Sequence, residues 1–210
     1  MPVDTPVYPV NLVLAGRPCL VVGGGRVAAQ KVRGLLDAGA VVTVVAPEVC
    51  PDIVASGVHV ERRPYRRGEA AAYRFVIAAT GDAVVEQQVF DDGEAAGVWV
   101  NSADDPARCS AILPARVRRG HLLVTVSTGG HSPAVASWLR DRLADELGPE
   151  LATLVDLVSE VRRDVQASGR STSELDWRAA LDSGILDLVR AGRLGPAKER
   201  LRACLSSSSV

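Results

Sequence analysis

The chain of 210 residues lacks the features that would assign it to nucleic-acid-binding, membrane or secreted proteins. Its formal net charge of −1 provides no broad basic field for nucleic acid. No apolar run approaches the ~20 residues that span a bilayer. The N-terminus has no basic segment followed by an apolar one, which a signal peptide would show. We therefore expect a cytoplasmic protein that binds neither nucleic acid nor membranes.

The cysteines and histidines lack the spacing of a disulfide framework or a metal site. Cys19, Cys50, Cys109 and Cys204 are scattered without a C-x-x-C pair, which is typical of reduced cytosolic thiols. His59 has no metal-ligand spacing to them, so we expect no permanent metal. No tyrosine is followed four residues later by a lysine, which excludes the Tyr-x-x-x-Lys mechanism of short-chain dehydrogenases.

A glycine-rich turn between a strand and a helix is the clearest local motif. Residues 19–22 suit a buried parallel strand, and Gly23, Gly24 and Gly25 follow at once. In a G-x-G-x-x-A pattern, Gly23 allows a tight turn and Gly25 lets the backbone approach a pyrophosphate, while Ala28 permits close helix packing. The first N–H groups of the helix would then face the phosphates. The pattern predicts dinucleotide binding; a simple strand-to-helix turn is the alternative.

Alternating strand and helix patterns predict an α/β fold that begins with a Rossmann-type, doubly wound parallel sheet. Ligands of such sheets bind beyond the carboxyl ends of the strands. We therefore expect the glycines, Thr80, Asn101 and the residues around Glu48 to surround one crevice. The predicted strands are residues 19–22, 41–45, 58–61, 75–79 and 98–100, with helices from the glycines to about residue 39 and from 84 to 96.

After Pro106 the pattern changes. Residues 111–115 and 122–126 are predicted strands on either side of a basic turn. A second glycine-rich loop at residues 127–133 opens a helix that runs to about residue 147, and the rest is helical. We expect three domains: an NAD-binding domain at 1–112, a small α+β domain at 113–148 and a helical domain at 149–210.

The choice of cofactor depends on the end of the second strand. Dinucleotide sites usually carry an acid there that binds the ribose hydroxyls. Here Pro47 intervenes and Glu48 comes slightly late, so Glu48 is either a ribose ligand or a solvated turn residue. No arginine follows directly to receive a 2′-phosphate, so the sequence favours NAD over NADP.

Two kinds of charged residue are candidates for chemistry on the substrate. Asp104 and Asp105 follow the fifth strand, where a carboxylate acts as a general base or forms an Asx-type turn before a proline. Basic residues, including Arg116, Arg119 and His131, surround the two later loops. They suit a substrate with many carboxylates, or they form a solvated hairpin.

Together these motifs resemble the precorrin-2 dehydrogenase family, the NAD-dependent module of siroheme synthesis. The most specific of them is the Ser-x-Gly-Gly-x-Ser-Pro loop at residues 127–133. The others are residues 8–10, 19–28 with Lys31, 42–48, 78–80 and 100–104, in the order of the family. The resemblance covers residues 8 to about 145 and extends to the last sixty only as a helical domain.

The resemblance implies an oxidoreductase that converts precorrin-2, a tetrapyrrole, to sirohydrochlorin with NAD⁺ as hydride acceptor. It implies a homodimer formed through residues 113–148, and it identifies Asp104 as the catalytic aspartate. Thr128 stands where some relatives have serine. Some members also insert iron, and the sequence leaves iron or cobalt insertion open. A non-enzymatic NAD-sensing Rossmann module and a chelatase without dehydrogenase activity are the alternatives.

The predicted site residues fall into three groups, of which the catalytic one contains Asp104 alone. The predicted cofactor-binding residues are Gly23, Gly24, Gly25, Arg26, Val27, Pro47, Glu48, Thr80 and Asn101. The predicted substrate-binding residues are Arg116, Arg119, Thr128, Gly129, Gly130 and His131.

Overall fold

The computed structural model describes residues 5–173 and 175–207, which fall into two units. The first unit contains Met1–Leu113 together with the loop Ser127–Ser132. The second contains Pro114–Val126 and Pro133–Val210. Residues on both sides of position 148 share one unit, and the second glycine-rich loop lies with the first unit. The three domains expected from the sequence stay a prediction.

The first unit contains a five-stranded parallel sheet, as predicted for a Rossmann-type fold. The strand order is β3-β2-β1-β4-β5, all four pairings are parallel, and the connection from β3 to β4 crosses to the other side of β1. This order places the carboxyl ends of β1, β2, β4 and β5 along one edge. The strands are β1 (Pro18–Val22), β2 (Val41–Val45), β3 (His59–Glu61), β4 (Phe75–Ala78) and β5 (Trp99–Ser102).

Helices cover both faces of this sheet. Successive side chains of a strand point to opposite faces, so Val21 packs with Val32 of the first helix, whereas Leu20 packs with Val89 of the third. Strands buried on both faces explain the continuous runs of apolar residues. The helices are α1 (Arg26–Leu36), α2 (Pro51–Ala55) and α3 (Ala83–Ala96), with 3₁₀ turns at Glu69–Ala72 and Pro106–Arg108.

The second unit begins with a hairpin of β6 (Ala115–Arg119) and β7 (Leu122–Val126). The prediction of a strand at residues 111–115 was wrong, because the residues assigned to the basic turn form the strand itself. Val117 is buried while its neighbours Arg116 and Arg118 are exposed, so these residues follow the two-residue period of a strand. Gly120, with φ of 56°, allows the tight turn.

Helices complete the second unit. The core of its last four helices is formed by buried residues such as Val161, Ile185 and Leu201, which confirms the predicted helical remainder. Within the described residues, no helix is long and apolar enough to cross a membrane. The helices are α4 (Pro133–Glu146), α5 (Glu150–Ala167), α6 (Trp177–Leu181), α7 (Ile185–Arg190) and α8 (Leu194–Ser207).

Candidate cofactor-binding and active site

The three glycines after β1 have different structural roles. Gly23 has a φ of 127°, and a Cβ atom there would overlap the backbone carbonyl of Ala79. A Cβ atom on Gly24 would overlap the carbonyl of Glu48, and the Gly24 carbonyl accepts a 2.8 Å hydrogen bond from the N–H of Cys50. By contrast, a Cβ atom on Gly25 would meet nothing within 4 Å. The first two glycines therefore serve backbone packing, and Gly25 faces open space.

The start of α1 suits an anionic ligand. Gly25 is the N-cap residue and offers no side chain to the first turn, where backbone N–H groups lack partners within the helix. Arg26 and Val27 are exposed, while Ala28 is buried against the sheet. Open space, free N–H groups and the positive end of the helix dipole together fit the pyrophosphate of a dinucleotide.

The acid predicted to bind ribose lies beside this turn. Pro47 and Glu48 are both exposed and follow β2 after the buried Ala46. The close approach of the Glu48 carbonyl to Gly24 places this segment next to the glycine turn, although Glu48 comes late in the sequence. Contact of its carboxylate with a ribose stays a prediction.

Asn101 and Thr80 lie at the ends of β5 and β4, as predicted, but their polar groups also form hydrogen bonds within the protein. Asn101 is buried, and its Nδ2 donates to the carbonyl of Ala111 (2.9 Å) and to Sγ of Cys109 (3.6 Å). The N–H of Thr80 donates to Glu86. Their predicted contacts with the cofactor remain predictions.

The two aspartates after β5 differ in their surroundings. Oδ1 of Asp105 accepts from the N–H of Ala107 (2.8 Å), and its Oδ2 accepts from Nη1 of Arg108 (2.7 Å). Asp105 therefore forms the Asx-type turn before the proline. Asp104 is exposed, and its carboxylate has no hydrogen bond among the described residues, which leaves it available to act as a base.

Lys31 of α1 provides positive charge near Asp104. Burial lowers the pKa of the half-buried Lys31 ammonium from its usual value, and the carboxylate of Asp104 opposes this shift. The sequence analysis recorded Lys31 only as part of a matching motif. Lys31 and Asp104 are some seventy residues apart in sequence, on α1 and after β5. No local sequence pattern therefore indicates that they are close.

Sequence analysis also missed Glu86, a buried acid in the first turn of α3. Its carboxyl group accepts hydrogen bonds from residues at the ends of both β4 and β5. One signal was present: Glu86 shares a helix face with Val89 and Gly93, three and seven residues later, which are also buried. A charged residue on the buried face of a helix indicates a specific role.

The second glycine-rich loop, Ser127–Ser132, belongs to the same unit as the glycine turn. Within it, Oγ1 of Thr128 accepts from the N–H of Ser132 (3.0 Å), an interaction that a serine would also make. A Cβ atom on Gly130 would lie 3.8 Å from Cβ of Pro106, so the loop lies beside the turn that follows Asp104. Gly129 has a positive φ and His131 is exposed.

Arg116 and Arg119 lie on β6 in the second unit. Nε and Nη2 of Arg119 each donate a 2.8 Å hydrogen bond, to the carbonyls of Leu147 and Ala144. Arg119 thus binds the carboxyl end of α4, and contact of either arginine with substrate stays a prediction. Within the described residues, no group of three or more His, Cys, Asp or Glu side chains could hold a metal ion.

Comparisons with known proteins agree with this architecture. A family model described as NAD(P)-binding matches residues 10–115, and one described as sirohaem biosynthesis protein central matches residues 119–146. A siroheme synthase from Photorhabdus laumondii is 32% identical over 216 residues, covering 96% of this chain and 44% of that protein. One from Pseudomonas putida (strain W619) is 36% identical over 203 residues, with coverages of 94% and 44%.

A solved structure is also similar over its whole length. The structure of SirC, precorrin-2 dehydrogenase, matches with a TM-score of 0.72 and 27% identity, covering 94% of this chain and 100% of the SirC chain. The sheet, the glycine turn and the first family model together define an NAD(P)-binding protein of the Rossmann type. The chain belongs to the precorrin-2 dehydrogenase and siroheme synthase family. It spans less than half the length of the siroheme synthases that it matches.

Proposed function

We propose that this protein catalyses the NAD-dependent oxidation of precorrin-2 to sirohydrochlorin, a step of siroheme biosynthesis. One observation carries the proposal: Asp104 presents a carboxylate without hydrogen-bond partners among the described residues, in the same unit as a glycine turn suited to pyrophosphate. The siroheme synthases and the SirC precorrin-2 dehydrogenase support the identity of the substrate.

The residues of the first unit divide the chemistry between them. NAD⁺, when bound, would accept the hydride. Gly25 and the first turn of α1 hold the pyrophosphate, and the carboxylate of Asp104 accepts the proton that leaves the substrate with the hydride. Lys31 supplies positive charge beside that base. The loop Ser127–Ser132, which lies beside the turn that follows Asp104, binds the substrate carboxylates.

NAD rather than NADP is the proposed cofactor. The exposed Glu48 comes three residues after β2, and its backbone carbonyl lies against Gly24, so its carboxylate would be in place to bind the ribose hydroxyls. The same negative charge would repel a 2′-phosphate. Calorimetric titration with NAD⁺ and NADP⁺ tests this, and tighter binding of NADP⁺ would contradict it.

We also propose a cytoplasmic homodimer formed through residues 113–148. The family resemblance supports the dimer, as do the exposed apolar side chains of Val135, Trp138 and Leu139 on α4. The free cysteines, which include the buried Cys19 and Cys109, support a reducing compartment.

The activity is tested with purified protein, precorrin-2 and NAD⁺, with and without Fe²⁺, by following the absorption spectrum. Sirohydrochlorin should form only when NAD⁺ is present. Metal insertion above the spontaneous rate in the Fe²⁺ arm would add chelatase activity. Binding of NAD⁺ without turnover of any tetrapyrrole would favour the non-enzymatic NAD-sensing module instead.

Asp104→Asn tests the proposed base. Because the Asp104 side chain is exposed and makes no hydrogen bond to the described residues, the variant should fold normally and bind NAD⁺ as before. Turnover should fall ~100-fold or more, as expected when a general base is lost. Asp105→Asn is the matched control: asparagine retains the turn, so most of the turnover should remain. Unchanged turnover of Asp104→Asn would remove Asp104 from the mechanism.

A further inference from the structure

A buried carboxyl group on α3 is held by four uncharged donors. Glu86 is 3% exposed. Its Oε1 accepts from the N–H of Thr80 (3.1 Å) and of Gly81 (3.2 Å), and it lies 3.2 Å from Oγ1 of Thr80. Its Oε2 accepts a 2.7 Å hydrogen bond from Oγ of Ser102. Both oxygens of the buried carboxyl group therefore have hydrogen-bond donors from the protein itself.

These donors come from two different turns at the candidate site. Thr80 and Gly81 follow β4, and their turn contacts the glycine turn, because a Cβ atom on Gly23 would lie 3.3 Å from the nitrogen of Thr80. Ser102 ends β5, and its Oγ also accepts from the N–H of Asp105 (3.3 Å). One side chain thus connects the cofactor side of the site with the turn that contains Asp104.

Packing alone does not require an acid at this position. Val89 and Gly93, which share its helix face, are apolar and contact the same side of the sheet. Burying a carboxyl group costs free energy that its hydrogen bonds only offset, and well-packed apolar residues often stabilise a core as much. The carboxyl group adds a fixed geometry, because Oε1 binds the turn after β4 and Oε2 binds the turn after β5.

We propose that Glu86 is a positioning residue that holds the turn carrying Asp104 in register with the turn beside the glycine loop. Glu86 acts through Ser102 and Thr80 and touches neither substrate nor cofactor. The inference rests on the proposed function, because it assigns the purpose of the link to proton transfer at Asp104. A base displaced by as little as ~1 Å can lose ~100-fold in rate, so a single hydrogen bond to its turn can control turnover.

Three variants separate the parts of this link. Ser102→Ala removes the bond to Oε2 and also the acceptor of the Asp105 N–H, and it leaves the bonds to Thr80 and Gly81 intact. Glu86→Gln preserves the shape of the side chain but replaces one acceptor oxygen with a donor NH₂ group. Ser110→Ala is the matched control. Oγ of Ser110 accepts a 2.9 Å hydrogen bond from the N–H of Val100, which lies on β5 like Ser102, and makes no bond to Glu86.

The first readout is hydrogen–deuterium exchange of the whole chain, which requires no substrate. Ser102→Ala should accelerate exchange at residues 103–108 and leave residues 80–82 unchanged. Glu86→Gln should accelerate exchange in both segments, and Ser110→Ala in neither. Because Ser102→Ala also removes the acceptor of the Asp105 N–H, the decisive variant is Glu86→Gln. Unaltered exchange at residues 103–108 in Glu86→Gln would overturn the proposed link, whether or not the protein proves to be a dehydrogenase.

The second readout is steady-state kinetics with precorrin-2 and NAD⁺. Ser102→Ala should lower kcat ~10-fold or more while KM for NAD⁺ stays within twofold, because the cofactor side keeps its bonds. The double variant Ser102→Ala/Glu86→Gln should be no slower than the slower of its two single variants, because both changes act on the bond between Ser102 and Glu86. An unchanged kcat of Ser102→Ala, or effects that simply multiply in the double variant, would overturn the positioning role.

The two proposals fail in different ways. If wild-type protein does not oxidise precorrin-2, the proposed function fails, and the exchange experiment still decides whether Glu86 couples the two turns. If wild-type protein is active and Glu86→Gln does not fold, Ser102→Ala decides the outcome through exchange at residues 103, 107 and 108, whose N–H groups have acceptors other than the removed hydroxyl group.

Discussion

At the scale of single residues, neighbouring glycines in the turn after β1 serve different purposes. Gly24 lies against the backbone of Glu48, where a methyl group does not fit. Gly25 has a φ of −83°, which alanine adopts without strain, and it faces open space. The fold therefore depends on Gly24, and Gly25 is the glycine that we propose for cofactor binding.

Alanine substitutions should separate these roles. Gly24→Ala should destabilise the protein by about 2–4 kcal/mol, because the backbone at Glu48 must move away. Gly25→Ala should leave the thermal unfolding temperature unchanged and weaken NAD⁺ binding ~10-fold or more, because its Cβ occupies the approach to the pyrophosphate. Thermal unfolding without cofactor and calorimetric titration of NAD⁺ measure the two effects. Normal NAD⁺ affinity in Gly25→Ala would show that the pyrophosphate binds elsewhere.

At the scale of secondary-structure elements, one arginine joins β6 to α4. Arg119 donates to the carbonyls of Ala144 and Leu147, where the last carbonyl groups of a helix lack partners and carry its negative dipole end. Arg119→Met should therefore lower the free energy of unfolding by about 1–2 kcal/mol, as measured by urea denaturation. Arg118→Met, on the exposed side of the same strand, should have little effect. A higher KM for precorrin-2 with unchanged stability would instead favour the predicted role in substrate binding.

The contact between α3 and β5 depends on a glycine. A Cβ atom on Gly93 would overlap Cγ2 of Val100. Gly93→Ala should therefore cost about 1–3 kcal/mol of stability through overpacking. Val100→Ala removes the obstructing methyl group, so the double variant should be more stable than the sum of the two single effects predicts. Strictly additive effects in denaturant titrations would show that the helix moves to accommodate the new methyl group.

At the scale of the whole molecule, the proposed dimer can be tested at the exposed surface of α4. Trp138 is 58% exposed, and the guanidinium carbon of Arg142 lies 5.1 Å from the centre of its ring. Exposed aromatic and arginine side chains are enriched in protein interfaces. Trp138→Glu should convert the proposed dimer into a monomer in sedimentation-velocity runs. Val84→Glu, at an apolar position on α3 that is 66% exposed, should remain dimeric, and a Trp138→Glu variant that also remained dimeric would place the interface elsewhere.

Much of this architecture follows from local patterns in the sequence. Apolar runs of four or five residues mark strands buried on both faces, and the glycines after β1 mark the turn into α1. The hairpin was placed wrongly because two overlapping stretches both suited a strand, at residues 111–115 and 115–119. Only the pairing with β7, with Val117 facing inward, selects the second.

The sequence by itself determined the class of sheet, the glycine turn and the family, because each depends on residues close together in the chain. Tertiary structure alone decided which polar groups form hydrogen bonds within the protein and which remain available for chemistry. It engages Asp105 in a turn, leaves Asp104 exposed near Lys31, and connects Glu86 to Ser102 across two elements. Such contacts join residues far apart in sequence, and their geometry exists only after the sheet has aligned the ends of its strands.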